Sequence, residues 1–363
     1  MLRKLSNGLK WLVWPFSAVY QLITWFRNYL YDHHLFKNYV SPIFTINVGN
    51  LTVGGTGKTP HIEYLLRLLA GKMELATLSR GYGRQTKGFR AATPLSTAAE
   101  IGDEPLQFYQ KFGQDVPVVV CEKRAIGLQR IEQKYPKTQL VLLDDAFQHR
   151  AVRPHLNILL TDYHRPFYED FSLPLGRLRE GRAGAKRADV VVVSKCPNTL
   201  FEREREQIYQ EIKPYVQADT PIFFSTIHYA TPQPYFSTQP AWTPTLPCLT
   251  LSGIAQPLVF QAAAEAQFEV IENLVYADHH CYTTRDLTTI LRKAKNRPLL
   301  TTEKDWVKLR PLLAKTKQEN APCFYFWPIE IAFVPSQSGS FDKWLLGKID
   351  RRSKVRGQRR KGQ

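Results

Sequence analysis

The sequence predicts an α/β protein: a parallel sheet of the P-loop NTPase kind, covered by helices, with a second, smaller α/β domain at the C-terminal end. Three observations predict it. A glycine-rich loop ending in Gly57-Lys58-Thr59 joins an apolar strand to a helical pattern. Short apolar runs then alternate with helical patterns up to residue 217, the signature of strands buried on both faces. Finally, a Pro- and Thr-rich stretch over 218–247 interrupts the alternation, which resumes at Cys248.

The first 36 residues stand apart. Residues 11–26 carry no charge and include Trp11, Trp14, Phe16, Tyr20, Trp25 and Phe26, with Arg3, Lys4, Lys10 and Arg27 on the flanks. A stretch this long, interrupted by Pro15, is short for a bilayer span. Tryptophans and basic flanks suit a segment that lies in the membrane interface or dips into one leaflet. It is too aromatic for a cleaved signal peptide and has no clear small-x-small site. The bland alternative is an amphipathic helix packed on the protein's own core.

Ile43-Phe44-Thr45-Ile46-Asn47-Val48 reads as a buried strand, and Ile62, Leu65, Leu66 and Leu69 fall on one face of a helix. Between them, Thr52, Val53, Gly54, Gly55, Thr56 and Gly57 form a loop whose backbone N–H groups can cradle phosphate oxygens. Lys58 can reach the β- and γ-phosphates and Thr59 can hold Mg²⁺. The usual pattern has glycine at position 52; Gly54 and Gly55 are expected to supply the backbone freedom instead. A plain glycine turn rarely ends in Gly-Lys-Thr at a helix start.

Further strands are expected at 74–78, 116–120, 139–145, 156–160 and 190–193, with helices opening at Gly102-Asp103-Glu104-Pro105 and spanning 124–135. Asp144-Asp145 ends an apolar strand, where a carboxylate can approach Mg²⁺ beside Thr59. Adjacent strand residues point to opposite faces, so one of the two is expected on the metal and the pattern leaves open which. Asp103-Glu104 and Asp278-His279-His280 are candidates for accepting a hydroxyl proton, although acids at helix starts and surface histidine pairs are common. Arg80, Arg84, Arg124, Arg177, Arg179 and Arg182 lie near the expected C-terminal edge of the sheet, where arginine suits phosphate. Val193-Ser194-Lys195 weakly resembles a base-contacting motif of some P-loop proteins.

The domain plan is then 1–36 for the membrane-associated segment, 37–217 for the P-loop core, 218–247 for a linker, 248–347 for the second domain and 348–363 for a basic tail. The second domain is expected to hold strands at 248–253, 268–271 and 298–302 and a helix at 284–294. The tail, with Arg351, Arg352, Lys354, Arg356, Arg359, Arg360 and Lys361, is expected to be disordered. A net charge of +17 over 363 residues implies an anionic partner. Five widely spaced cysteines with no Cys-x-x-Cys argue against a zinc site or a disulfide framework and suit a reducing cytosol.

These motifs occur in one order: residues 49–60, Ser79-Arg80-Gly81-Tyr82-Gly83, 102–105, Leu143-Asp144-Asp145-Ala146-Phe147-Gln148-His149, Leu178-Arg179-Glu180, Asp278-His279-His280 and Thr302-Glu303-Lys304-Asp305. From about residue 10 to 345 the chain resembles the tetraacyldisaccharide 4'-kinase family, the lipid A 4'-kinases of Gram-negative bacteria. Thr52 fits, since that family often has a small hydroxyl residue there. Glu180 is followed by Gly181 where the family often has proline. The resemblance implies transfer of the ATP γ-phosphate to the 4'-hydroxyl of a tetraacyldisaccharide 1-phosphate, with Mg²⁺, by a monomer on the cytoplasmic face of the inner membrane. It implies Asp103 as base assisted by His279, Lys58 and Thr59 on the nucleotide and metal, and Asp144, Asp145 and Glu104 near the metal. Arg124 would serve catalysis, and Asn50, Arg80, Gln148, His149, Arg179 and Glu180 the substrate side. The leading alternative is a P-loop regulatory or metallochaperone ATPase or GTPase. That would leave the aromatic N-terminus unexplained and would want a Cys/His cluster. A nonenzymatic nucleic-acid-binding protein would leave the Mg²⁺ motifs idle.

Overall fold

A computed structural model describes residues 7–314, 322–335 and 340–361, with side chains over 12–314, 322–335 and 340–351. Along the chain come α1 (Asn7–Asp32), β1 (Phe44–Asn50), α2 (Lys58–Leu69), β2 (Leu75–Ser79), β3 (Arg90–Ala91), α3 (Ala98–Ile101), α4 (Asp103–Phe112), β4 (Val118–Val120) and α5 (Arg124–Lys134). They are followed by β5 (Leu140–Asp144), β6 (Leu156–Asp162), β7 (Val190–Ser194), α6 (Glu202–Ile212), β8 (Ile222–Tyr229) and β9 (Gln233–Pro234). The remainder is β10 (Cys248–Ser252), α7 (Pro257–Glu265), β11 (Val270–Val275), α8 (Thr284–Ala294), β12 (Leu299–Thr302), α9 (Glu303–Leu313), β13 (Phe324–Trp327), β14 (Ile329–Phe333) and α10 (Phe341–Lys361).

The larger sheet has the order β14-β8-β7-β6-β1-β5-β2-β4-β3. It is parallel from β8 to β4, with antiparallel β14 and β3 at its edges. Alternate residues feed opposite faces. Ile46, Val48, Leu142 and Leu160 pack against Ile62, Leu65, Leu66 and Leu69 of α2. Ala76, Leu78, Val141 and Leu143 meet Leu128 and Ile131 of α5 on the other side. Each large apolar side chain buried this way contributes about 1.5–3 kcal/mol. β1 lies at the switch point: the chain runs from it to β2, β4 and β5 on one side and then crosses to β6, β7 and β8 on the other. Ligands of such sheets gather at the carboxyl ends of the strands there.

The smaller sheet runs β11-β10-β12-β13-β9 and is parallel apart from β9. Its core takes in Ile101, Leu106 and Val120 from the first domain, packed with Leu249, Leu251, Trp306 and Val307. The two domains therefore share an apolar seam along α4 and α9.

Three expectations change. Residues 222–229, expected within a linker, form β8 beside β7 in the larger sheet, because Ile222, Phe223 and Phe224 are all buried there. The C-terminal unit does not stay in its own domain either: β14 pairs with β8, and Phe341, Leu345 and Ile349 of α10 join the core around α2. The basic tail continues α10 as helix to Lys361 rather than being disordered, although its side chains beyond Arg351 lie outside the described ones.

α1 is amphipathic the wrong way round for a soluble helix. Ser17 and Thr24 are buried, whereas Leu12, Trp14, Phe16, Val19, Leu22, Ile23, Trp25 and Phe26 are exposed. Polar contacts dock it: Ser17 Oγ donates to Ser172 O at 2.8 Å and Tyr20 Oη to Arg179 O at 2.9 Å. Among the described residues, no helix is long and apolar enough to cross a membrane. Arg3, Lys4 and the side chains of Lys10 and Trp11 lie outside the described ones.

Candidate active site

The P-loop leaves β1 and runs antiparallel to residues 177–179: Val53 N donates to Arg177 O at 2.8 Å, and Arg179 N to Leu51 O at 2.7 Å. Thr52 bridges Leu178 within this pairing. That extended position needs no positive φ, which is why threonine replaces glycine there. The positive φ values fall later, on Gly54 at 112°, as expected, and on Gly57 at 83°, the residue before α2. His61, which the sequence reading did not single out, braces it. His61 Nδ1 donates to Gly57 O at 2.7 Å and Nε2 accepts from Ser225 Oγ at 3.0 Å, so the ring ties the loop to β8. Burial lowers its pKa to about 4, so it stays neutral.

Asn50 supports the loop from below. Its Nδ2 donates to Thr56 Oγ1 at 2.8 Å and to Thr52 Oγ1 at 3.3 Å. Lys58 Nζ lies 3.5 Å from Asn50 Oδ1 and 3.8 Å from Asp145 Oδ2. β5 delivers the two aspartates, and they part at once because Asp145 takes a left-handed conformation at φ 47°. Asp145 accepts Arg179 at 2.9 and 2.7 Å. Asp144 is 4 % exposed, and its buried Oδ1 has no hydrogen-bond partner. Burial first, then Glu104 and Asp145, push the Asp144 pKa up to about 7.

α4 brings the other acids. Gly102 breaks α3 from α4 at φ 91°, and a Cβ there would come within 3.0 Å of Tyr82 O. This break sets Asp103 and Glu104 in the first turn of α4, where the helix dipole favours them. Glu104 Oε1 accepts from Thr59 Oγ1 at 3.1 Å and from Lys304 Nζ at 2.9 Å. Thr59, Glu104 and the unpartnered oxygen of Asp144 are hard oxygen donors that fit Mg²⁺. Among the described residues, no three His, Cys, Asp or Glu side chains could hold a metal together.

Across the seam, His279 sits in a left-handed conformation at φ 57°, and its Nδ1 lies 2.8 Å from Asp103 Oδ2. His280 turns instead to Asp286 of its own domain at 3.2 Å. Burial would raise the pKa of Asp103, but the His279 hydrogen bond and the charge of Lys304 lower it to about 2. The same hydrogen bond raises the pKa of His279.

The remaining candidates divide by exposure. Arg124 is 2 % exposed and donates to Cys121 O at 3.0 Å and Asp144 O at 3.1 Å, so it fixes the end of β5 through main-chain carbonyls. Glu180 is fully buried and accepts from Asn28 of α1 at 2.7 Å, from Gln148 at 2.9 Å and from Arg187 at 2.8 Å. Asn50 is equally buried. The polar atoms of Asn50 and Glu180 are thus engaged within the protein. Gly181 has φ −62°, the value a proline would impose, so the loop keeps its course without one. Arg80 is exposed and His149 half-buried. Burial, then the charges of Arg124, Arg80 and Arg27, lower the His149 pKa to about 4.

The family model described as tetraacyldisaccharide-1-P 4'-kinase matches residues 9–350. The chain is 42 % identical over 348 residues to the tetraacyldisaccharide 4'-kinase of Flavobacterium psychrophilum, covering 95 % of this chain and 98 % of that one. It is 41 % identical over 352 residues to that of Cytophaga hutchinsonii, covering 96 % and 98 %. A solved structure, the "apo" form of LpxK from Aquifex aeolicus in complex with ATP, superposes with a TM-score of 0.74 at 28 % identity, over 94 % of this chain and 99 % of that one.

Proposed function

The chain belongs to the tetraacyldisaccharide-1-P 4'-kinase family, and from that premise we propose how its residues carry out the transfer. It is an ATP-dependent lipid kinase that phosphorylates the 4'-hydroxyl of a tetraacyldisaccharide 1-phosphate, a lipid A precursor, with Mg²⁺ as the partner ion. The observation that carries our reading is the 2.8 Å contact between Asp103 and His279, which joins the two domains at the end of the P-loop helix.

In this reading, the loop amides of residues 52–57 and Lys58 hold the β- and γ-phosphates. Thr59, Asp144 and Glu104 would hold the metal, which when bound would neutralise phosphate charge; Asp145 anchors Arg179 and Lys58. Asp103 accepts the proton of the sugar hydroxyl. A carboxylate held near pKa 2 is a weak base, so it takes the proton late, as oxygen bonds to phosphorus. His279 orients it and is completed as a partner only when the second domain is seated. Arg124 positions the Asp144 end of β5. Arg80, His149, Gln148 and Arg179 border the acceptor side. The exposed apolar face of α1 supports seating on the cytoplasmic surface of a membrane, and the chain acts as a monomer.

The test supplies purified protein, Mg²⁺-ATP and tetraacyldisaccharide 1-phosphate in mixed micelles and reads product mass. We expect a gain of one phosphate, reduced about 10²–10⁴-fold in Asp103→Ala and abolished in Lys58→Ala. No transfer by the wild type, or full activity in Lys58→Ala, would overturn the reading.

A further inference from the structure

The first turn of α9 carries Glu303-Lys304-Asp305, and the transfer chemistry above leaves its lysine without a task. The turn is rigid. Thr302 Oγ1 caps it by accepting from Asp305 N at 3.2 Å, and fully buried Asp305 accepts from Gly253 N at 2.9 Å and from Tyr282 Oη at 2.8 Å. Glu303 accepts from Ile329 N at 3.2 Å and faces Lys111 of α4. Held between these two acids, Lys304 reaches out of the second domain to Glu104 Oε1 at 2.9 Å. That same oxygen accepts from Thr59 Oγ1 at 3.1 Å.

The ammonium is therefore set at the carboxylate that touches the P-loop's own hydroxyl. A divalent ion on Glu104 would compete with the ammonium for the carboxylate's charge. Committing Glu104 to the ion leaves Lys304 with a full charge, a flexible four-carbon stem and no carboxylate partner at that oxygen. A terminal phosphate placed beside Thr59 would offer the ammonium an anion in place of that oxygen.

We infer that Lys304 is a second phosphate-binding lysine, supplied by the C-terminal domain to the γ-phosphate and exchanged off Glu104 as that carboxylate turns to Mg²⁺. The inference rests on the kinase reading above. It assigns Lys58 and Lys304, one from each domain, to opposite sides of the same phosphoryl group, so nucleotide would seat the second domain in proportion to the phosphates it carries.

Equilibrium binding without acceptor lipid separates this inference from the kinase reading. The probes are ADP and the non-hydrolysable ATP analogue AMP-PNP, titrated calorimetrically with saturating Mg²⁺ into the wild type, Lys304→Met and Lys304→Arg. Lys304→Met should weaken AMP-PNP by about tenfold or more, the scale of a charged hydrogen bond, and leave ADP within about twofold. Lys304→Arg should restore most of the preference. Equal weakening of both nucleotides, or of neither, would overturn the inference even where wild-type transfer activity is normal. Should Lys304→Met fail to fold, as judged by circular dichroism and thermal unfolding, a crystal structure of the wild type with Mg²⁺ and AMP-PNP decides. Lys304 Nζ at about 3 Å from a γ-phosphate oxygen supports the assignment; Nζ still on Glu104 contradicts it.

Discussion

His61 gives the residue scale its clearest pH signature. Its folded pKa is lowered to about 4 by burial, below the ordinary 6.5. The unfolded chain therefore binds a proton across about pH 4–6.5 that the folded chain refuses, and stability rises with pH through that window. The contribution is fully present above 6.5 and is lost as pH falls towards 4. His149 behaves alike. In His61→Gln, the fall in unfolding free energy between pH 6.5 and 5 should lessen by up to about 1.4 kcal/mol per pH unit, as measured by urea titration; an unchanged slope would refute a neutral buried His61. Sequence could not reveal this residue, because a histidine one turn into a helix looks the same whether it faces solvent or a loop carbonyl. Lys304 was visible only as part of a motif, since its partner Glu104 lies 200 residues away in the chain. Arg124 was legible as important but not as a brace for main-chain carbonyls. Thr52 looked irregular and is explained by its β-bridge to Leu178.

At the scale of elements, the parallel strands were legible because they are continuous apolar runs, and Gly57 and Gly102 marked the breaks that aim Lys58, Thr59, Asp103 and Glu104. β8 was hidden by the prolines around it. α1 was legible as an aromatic segment, and its docking side was not: Ser17, Tyr20 and Asn28 hold it through contacts with residues more than 150 positions away. Because Trp14 and Trp25 are more than half exposed, replacing both with serine should leave the melting temperature within about 2 °C. The same change should weaken cosedimentation with phosphatidylglycerol vesicles about tenfold or more per residue, the scale of burying one large apolar side chain. Unchanged vesicle binding would remove the membrane role of this face.

For the whole molecule, the governing feature is the seam between the two domains. Leu106 and Val120 share a core with the second sheet, and besides Asp103–His279, lysine–carboxylate pairs cross the seam in opposite senses. Lys304 of the second domain meets Glu104, and Lys111 of the first meets Glu303 while also donating to fully buried Glu63 at 2.6 Å. Burial, then Glu63, raises the Glu303 pKa to about 7. Lys111→Met would strand two buried carboxylates and should cost about 3–5 kcal/mol. For an acid with a raised folded pKa, the folded state holds the extra proton below about pH 7, so the loss should be smaller at pH 6 than at pH 8. Equal losses at both pH values, read by thermal unfolding, would argue against that coupling. The order of motifs made two cooperating domains legible; the crossing of β8, β14 and α10 back into the first domain was not, because it depends on pairings between distant segments.

The central claim is that one residue from each domain, Asp103 and His279, acts as a single unit on the acceptor hydroxyl. A double-mutant cycle on lipid phosphorylation with Asp103→Ala and His279→Ala tests it most directly. Asp103→Ala should remove nearly all of the effect, so that adding His279→Ala changes kcat by less than about threefold. Independent, multiplying losses would contradict it.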